Sequence, residues 1–464
     1  VPRRLKRGGA ATTPIPHPTP TPFLLEPGMS NAPADSAADD NPRIPWTSYY
    51  VLGLLFVVYV FNFIDRTILN ILAIPIKEDL GLYDWQIGLM GGLAFALFYT
   101  VMGIPVARLA DRGNRRNVIA VSLAIWSVMT AVCGLATNFW QLLLARIGVA
   151  VGEAGGSPPS HSLITDFFPA NRRATALAIY ALGIPVGTML GNFFGGWLTD
   201  TFDWRTAFMV VGLPGVLLAL VLRFTVREPP RIVDHAAVAR NPDAPPVMFV
   251  FKALWQRRSF RYMALGGALH ALVGYGVGPF VPALFSRVHD LTPGQIGSAL
   301  AVLGIAGILG TASGGYFADR LAARDLRWYV WLPGIATLVS VPFSTASYLW
   351  ADPWQAFWIM AIPGFLGSYY LGPTFSLTQS MVGLRVRALA ASILLFILNL
   401  IGMGLGPLFV GFASDLLNAY TNLGVESVRW ALVSVLVFNV LSTVFYIMAG
   451  KDLVADIARK HELE

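Results

Sequence analysis

Four charged residues stand inside stretches that are otherwise apolar or small. Asp65 and Arg66 lie in VFNFIDRTILN, and Arg146 and Glu153 in RIGVAVGEAGGSPP. A charge at the centre of a membrane-crossing helix costs at least about 2.5 kcal/mol on insertion scales, so each marks a functional position by default. Arg146 and Glu153 are seven residues apart, two helical turns, which puts them on one face about 10 Å apart along the axis. Both can point into one cavity. Asp65 is expected at a depth between them, within reach of Arg146, with Glu153 left more isolated among apolar groups. An apolar setting favours the protonated carboxyl and a guanidinium favours the ionised one, so an arginine that changes partner loads or releases a proton. Asp65 and Glu153 are therefore the candidate proton carriers and Arg146 their counter-charge. Asn62, Arg66, Glu153 and His270, the last in GGALHALVGYG, are candidates for a substrate cavity. The competing readings are a static ion-pair network and, for His270, a local hydrogen bond.

The elements that must hold these charges follow from composition. Of 464 residues 55% are hydrophobic and 13% charged, with a mean hydropathy of +0.60, too little charge to cover a soluble surface. The 45 glycines and 13 tryptophans suit close helix contacts and membrane interfaces. Twelve apolar runs are long enough to cross a hydrocarbon core of about 30 Å: 47–77, 84–107, 117–136, 140–166, 173–198, 204–224, 261–286, 294–317, 328–350, 354–380, 388–416 and 428–449. Runs this long and continuous are helices, so the expected class is an all-α membrane protein. Basic residues gather in alternate connections, whereas the others hold only Lys77, Arg205, Arg287 and Arg429. The positive-inside rule then puts both termini in the cytoplasm, and the net charge of +7 reports orientation, not nucleic-acid binding. One cysteine, Cys133, excludes a disulfide within the chain and any cysteine-rich metal or redox motif; no cofactor or metal is expected.

The expected organisation is a disordered cytoplasmic tail over 1–44, a six-helix half over 45–226, a linker over 227–260, a second half over 261–450 and a cytoplasmic tail over 451–464. The linker ends in VMFVFKALWQRRSFRYM, either an amphipathic helix in the plane of the inner leaflet or a cytosolic linker helix. The halves repeat. GNFFGGWLTD (Gly191–Asp200) matches GPLFVGFASD (Gly406–Asp415) at an offset of 215, which also sets Gly152 on Gly367, Glu153 on Ser368 and Pro158 on Pro373. ARLADRGNRR from Ala107 matches GYFADRLAAR from Gly315 at an offset of 208. Pro158 and Pro159 are expected to kink the fourth helix below Glu153.

Two parallel six-helix repeats carrying LADRGNRR after the second helix resemble the major facilitator superfamily, whose substrate sites lie near the midplane between the halves. Ala107 and Asn114 replace glycines of its signature loop, and Ala322 another in the second copy. The resemblance implies a cytoplasmic gate built from Asp111, Arg112, Arg115, Asp319 and Arg320, with Asp111 facing a neighbouring helix N-terminus. FNFIDRTILN, the signature loop, RIGVAVGEAGGSPP and REPPR in that order resemble the spinster-like branch. That resemblance implies a secondary transporter of an amphipathic, lysophospholipid- or sphingolipid-like substrate, proton-coupled, monomeric, in a bacterial inner membrane, and it supports roles for Asp65, Arg146 and Glu153. The residues alone suit a cationic drug or an organic acid equally well, and a non-transporting lipid sensor, for which the 1–44 tail offers no recognisable signalling domain, is the alternative of another class. No H-E-x-x-H, G-x-S-x-G or Walker A pattern supports an enzyme.

Overall fold

The structure, a computed structural model, describes residues 44–229, 246–383 and 386–459, without the side chains of residues 111, 112, 170, 171, 174 and 388. The tail over 1–43, the linker core with Arg231 and Arg240, Arg385, Lys460, and the side chains of Asp111 and Arg112 lie outside the described residues.

The described residues form helices in the expected order. The first crossing is α1 (Trp46–Leu80), ended by Gly81 in the left-handed region at φ 63°, where its N–H reaches the Lys77 carbonyl. The second is α2 (Asp84–Gly91) with α3 (Leu93–Arg112), and the third α4 (Arg115–Cys133). The fourth is α5 (Phe139–Glu153) with α6 (Ser157–Phe167), the fifth α7 (Ala170–Ala181) with α8 (Gly183–Thr201), and the sixth α9 (Trp204–Thr225). A short helix, α10 (Val247–Gln256), precedes the second half. The seventh crossing is α11 (Arg258–Val277) with α12 (Phe280–His289), the eighth α13 (Pro293–Ala322) and the ninth α14 (Trp328–Leu349). The tenth is α15 (Pro353–Gly367) with α16 (Leu371–Ser380). In the eleventh, a π-helical turn at Leu398–Met403 joins α17 (Arg387–Ile397) to α18 (Gly404–Tyr420). The twelfth is α19 (Ser427–Val435) with α20 (Val437–Ala449), and α21 (Leu453–Ala458) follows.

Ten spans among the described residues are helical, long and apolar enough to cross a membrane. The fourth and tenth crossings are the two that fall short, because each is interrupted by three non-helical residues, 154–156 and 368–370, within one residue of the same repeat register. The expected proline kink is thereby corrected. The fourth run is two helices, and Pro158 and Pro159 stand in the first turn of α6, where no partner for a backbone N–H is required. Side-chain caps start the crossings: Asn138 Oδ1 accepts from Gln141 N at 3.1 Å and Asp352 Oδ1 from Gln355 N at 2.8 Å.

Leu55, Ile68, Leu72, Trp126 and Phe208 belong to one buried core built almost wholly from the first half. Phe260, Leu394 and Tyr446 anchor a second core, and Phe285, Phe357 and Leu432 a third. Large apolar side chains such as Leu144 (65% exposed) and Phe224 (78%) face outward, the arrangement lipid requires. In α10, Val250 and Leu254 are buried while Val247, Met248, Phe249 and Lys252 are exposed, an amphipathic pattern.

The near face carries the start of α1 and the end of α20. There Ser48 donates to the Phe167 carbonyl at 3.0 Å and Tyr50 meets Thr225 at 2.7 Å. At the opposite, far face, each of the four cations found in the sparsely basic connections has an acid: Lys77 and Arg287 pair with Asp84, Arg205 with Asp79, and Arg429 with Glu426.

Candidate functional site

The break after Glu153 sets the geometry of the charged site. Gly152 lies against the third crossing so tightly that a Cβ would collide with the Trp126 backbone, which brings α5 close to α4. The first helix turns Asp65 and Arg66 toward this packed corner. Asp65, Arg146 and Glu153 are 2%, 2% and 1% exposed.

The charges are paired in a crossed pattern. Arg146 Nη1 donates to Asp65 Oδ1 at 3.3 Å, as expected. Glu153, expected to be isolated, is not: Arg66 Nε donates to its Oε2 at 2.6 Å. The reason is directional, since consecutive residues of α1 diverge by about 100° and so send one side chain to each charge of α5. Three aromatic rings surround Arg66, with its Cζ 4.7 Å from the Tyr99 centroid, 5.2 Å from Phe63 and 5.3 Å from Phe95. Arg146 lies 5.4 Å from the same Phe95 ring. The guanidinium groups thus meet carboxylates on one side and ring faces on the other.

Four buried polar atoms here have no hydrogen-bond partner: Asn62 Oδ1, Asp65 Oδ2, Arg146 Nε and Glu153 Oε1. The Asp65 and Glu153 carboxyls are close enough to act on one another. Removing one member of a buried ion pair costs about 3–5 kcal/mol because the survivor is left uncompensated, so neither arginine is replaceable by a neutral residue without consequence.

Two adjoining cavities open beside the charges. The smaller, about 210 Å³, is lined by Arg66, Arg146, Phe63 and Phe95. The larger, about 530 Å³, is mostly apolar, with His270, Asn439, Tyr348 and Tyr370 among its polar lining. Thr67, Asn70, Thr188, Gly274, Tyr275 and Gly278 border both, so the two adjoin, the smaller as a cationic end and the larger as an apolar body. Of the expected cavity residues, Arg66 and His270 line them. Asn62 (4% exposed) and Glu153 are buried behind them and are not among the lining residues.

His270 bridges the second break. Its Nε2 lies 2.9 Å from the Gly367 carbonyl, an obligate acceptor, so Nε2 carries the proton. Its Nδ1 then faces Asn439 Oδ1 at 3.1 Å and Thr337 Oγ1 at 3.3 Å. The geometry admits a neutral ring that accepts from Thr337, or an imidazolium that donates to Asn439.

The described gate residues bond within their own halves or, for Arg115, also to Glu228 at the start of the linker. Arg115, 2% exposed, donates to Asp166 at 2.6 Å and Glu228 at 2.8 Å. Asp319 accepts from Tyr329 at 2.9 Å and Arg320 donates to Tyr316 at 3.2 Å. Hydrogen bonds between the halves gather instead at the far face, around Asp84, Asp200 and Asp415. Sequence reasoning missed Asp84. Its signal was the acid directly at the start of the second run, where Pro293 stands in the eighth. The polar cavity residues Thr67, Asn70, Thr188 and Asn439 had no signal, being uncharged residues in helices rich in similar ones.

The Major Facilitator Superfamily model matches residues 55–407. An MFS-type efflux pump of Mycolicibacterium smegmatis is 33% identical over 431 residues, 91% of this chain and 96% of that protein. Protein spinster homolog 1 of Xenopus tropicalis is 27% identical over 79% of this chain and 73% of its own. The crystal structure of a bacterial homolog to the human lysosomal transporter spinster, inward-facing and unoccupied, superposes with a TM-score of 0.79 at 34% identity, covering 88% of this chain and 98% of that one. With twelve crossings in two repeated halves and the charged pair-of-pairs between α1 and α5, the chain belongs to the major facilitator superfamily, in its spinster-like branch.

Proposed function

We propose that the protein is a secondary transporter of an amphipathic anion, of lysophospholipid or sphingolipid type, that works by alternating access and couples each passage to a proton on Asp65 or Glu153. The observation that carries this reading is Arg66. Its guanidinium is held at 2.6 Å by a carboxylate buried behind the cavity, yet the side chain remains 21% exposed and lines the cavity's cationic end. One cation thus serves two anions. When Glu153 takes a proton, Arg66 and its neighbour Arg146 turn their charge to a substrate headgroup, while the tail occupies the apolar body beside His270. Loss of the proton returns Arg66 to Glu153 and releases the headgroup. The partnerless oxygens of Asp65 and Glu153 suit a proton held between them, since each would then have a partner.

The near face is read as cytoplasmic, in a bacterial inner membrane, with residues 45–226 and 261–450 as the two moving bodies, 227–260 as their linker, and 1–44 and 451–464 as tails. The far face is then the closed one, and Asp111 and Arg112 join Arg115, Asp319 and Arg320 in the cytoplasmic gate only in the opposite state. The protein works as a monomer in contact with membrane lipids. A small organic anion would use the same cationic end without the apolar body, and a drug the apolar body. Uptake of labelled lysophospholipids and of small organic anions into proteoliposomes, with and without a pH gradient, tests both. Gradient-stimulated lysolipid flux that Glu153→Gln abolishes supports the proposal. Flux of small anions alone favours the second substrate class, and saturable binding without flux favours a sensor.

A further inference from the structure

At the far face the halves meet along two helix crossings that are copies of one another. Asn192, Gly196 and Asp200 of α8 correspond to Pro407, Gly411 and Asp415 of α18, and YDWQIG (Tyr83–Gly88) corresponds to TPGQIG (Thr292–Gly297). A Cβ on Gly88 would collide with the Pro407 carbonyl, and one on Gly297 with the Asn192 carbonyl. A Cβ on Gly411 would collide with the Asp84 backbone, and one on Gly196 with that of Pro293. Gln86 and Gln295 accept from equivalent helix-start N–H groups, of Tyr83 at 2.8 Å and of Thr292 at 3.0 Å. Each crossing also ends on an aspartate that meets the helix start of the other half. Asp415 accepts from Asp84 N at 3.1 Å and Trp85 N at 2.8 Å, and Asp200 accepts from Thr292 Oγ1 at 2.6 Å.

One position breaks the symmetry. Where α13 begins with Pro293, α2 begins with Asp84. The Asp84 carboxylate, its side chain 3% exposed, accepts both terminal nitrogens of Arg287 at 2.6 and 2.7 Å, Lys77 Nζ at 2.6 Å and Ser414 Oγ at 2.7 Å. Arg287 and Ser414 belong to the second half, so this one carboxylate ties α2 to both α12 and α18. A buried, multiply bonded ion cluster is costly to break from one side, whereas close packing with a single hydroxyl bond is not.

We infer that Asp84 is a positioning residue of the transport cycle: its carboxylate is the latch that holds the far face closed, and opening there is controlled at the α2–α18 crossing and not at its copy, the α8–α13 crossing. This rests on the closed seam and is independent of what is carried or whether a proton is coupled.

Double electron–electron resonance tests it. Spin labels at Tyr83 and Tyr420, exposed by 63% and 82%, report one crossing, and labels at Phe202 (60%) and the exposed Ser298 report the other, Cys133 being buried. Asp84→Asn should raise the open-to-closed ratio about thirtyfold or more, as expected for truncating one partner of a buried charge cluster, and the exposed Thr292→Val by about two- to threefold. Arg287→Gln should open the face similarly and Arg287→Lys should keep it largely closed, which covers the case in which Asp84→Asn does not fold. Unchanged distances in folded Asp84→Asn or Arg287→Gln protein would overturn the inference, and so would equal opening by Thr292→Val.

Discussion

The fourth and tenth crossings are built to one plan and used differently. Both break within one residue of the same register, after Glu153 in one and after Gly367 in the other, and both restart with a proline in the first turn, Pro158 and Pro373. In the first half the carbonyl of Gly152 is taken by its own chain, through Gly155 N at 3.2 Å, and the next residue is a buried glutamate paired with Arg66. In the second half the carbonyl of Gly367 is taken by His270, and the next residue is Ser368, which spends its hydroxyl on the Gly364 carbonyl at 3.0 Å. The fold therefore needs the break but not the charge. We assign what the charge adds to the proposed proton coupling, for which the uncharged copy is a control supplied by the same molecule.

That comparison can be broken by paired substitutions. The largest difference is expected between Glu153→Gln and Ser368→Ala. The first should cut gradient-driven transport by about a hundredfold, the scale of losing about 3 kcal/mol of charge pairing, while the second should leave it within about twofold; flux in proteoliposomes reads both. Next come the glycines. Gly152→Ala must push against the Trp126 backbone and should cost about 1–3 kcal/mol, whereas a Cβ at Gly367 meets only His270 Nε2 at an ordinary 3.6 Å. Thermal unfolding in detergent should separate the two. His270→Ala leaves the Gly367 carbonyl without its partner and should cost about 1–3 kcal/mol by the same melt, with a smaller effect on gradient coupling than Glu153→Gln. The smallest effects should come from the caps. Asn138→Ala and Asp352→Ala each remove one N-terminal acceptor, and each should cost about 1 kcal/mol, alike in both crossings.

Much of this was legible in the sequence because the signals are charges in apolar surroundings. Asp65, Arg66, Arg146 and Glu153 announced themselves by cost, and the Asp65–Arg146 pair followed from depth along two helices. The Arg66–Glu153 bond did not, because axial spacing says how deep a side chain lies and not toward which neighbour its helix turns it. The break after Glu153 looks like a kink in the sequence, because Pro158 and Pro159 stand out more than the glycines beside them. The polar cavity wall, Thr67, Asn70 and Asn439, was illegible for the opposite reason: hydroxyls and amides cost little in a helix and so mark nothing by themselves. The latch at Asp84 lay at the edge of a run, where an acid looks like an ordinary loop residue until Arg287 and Ser414 are brought to it from 203 and 330 residues away.

The central claim is that Arg66 is shared between Glu153 and the substrate, so that binding an anionic amphiphile and binding a proton are one event. Proton uptake measured with a pH indicator as a lysophospholipid is added to the purified protein tests it most directly. The account predicts uptake that saturates with binding in the wild type and is absent in Glu153→Gln, which still binds. Wild-type binding with no proton uptake, or equal uptake in Glu153→Gln, would contradict it.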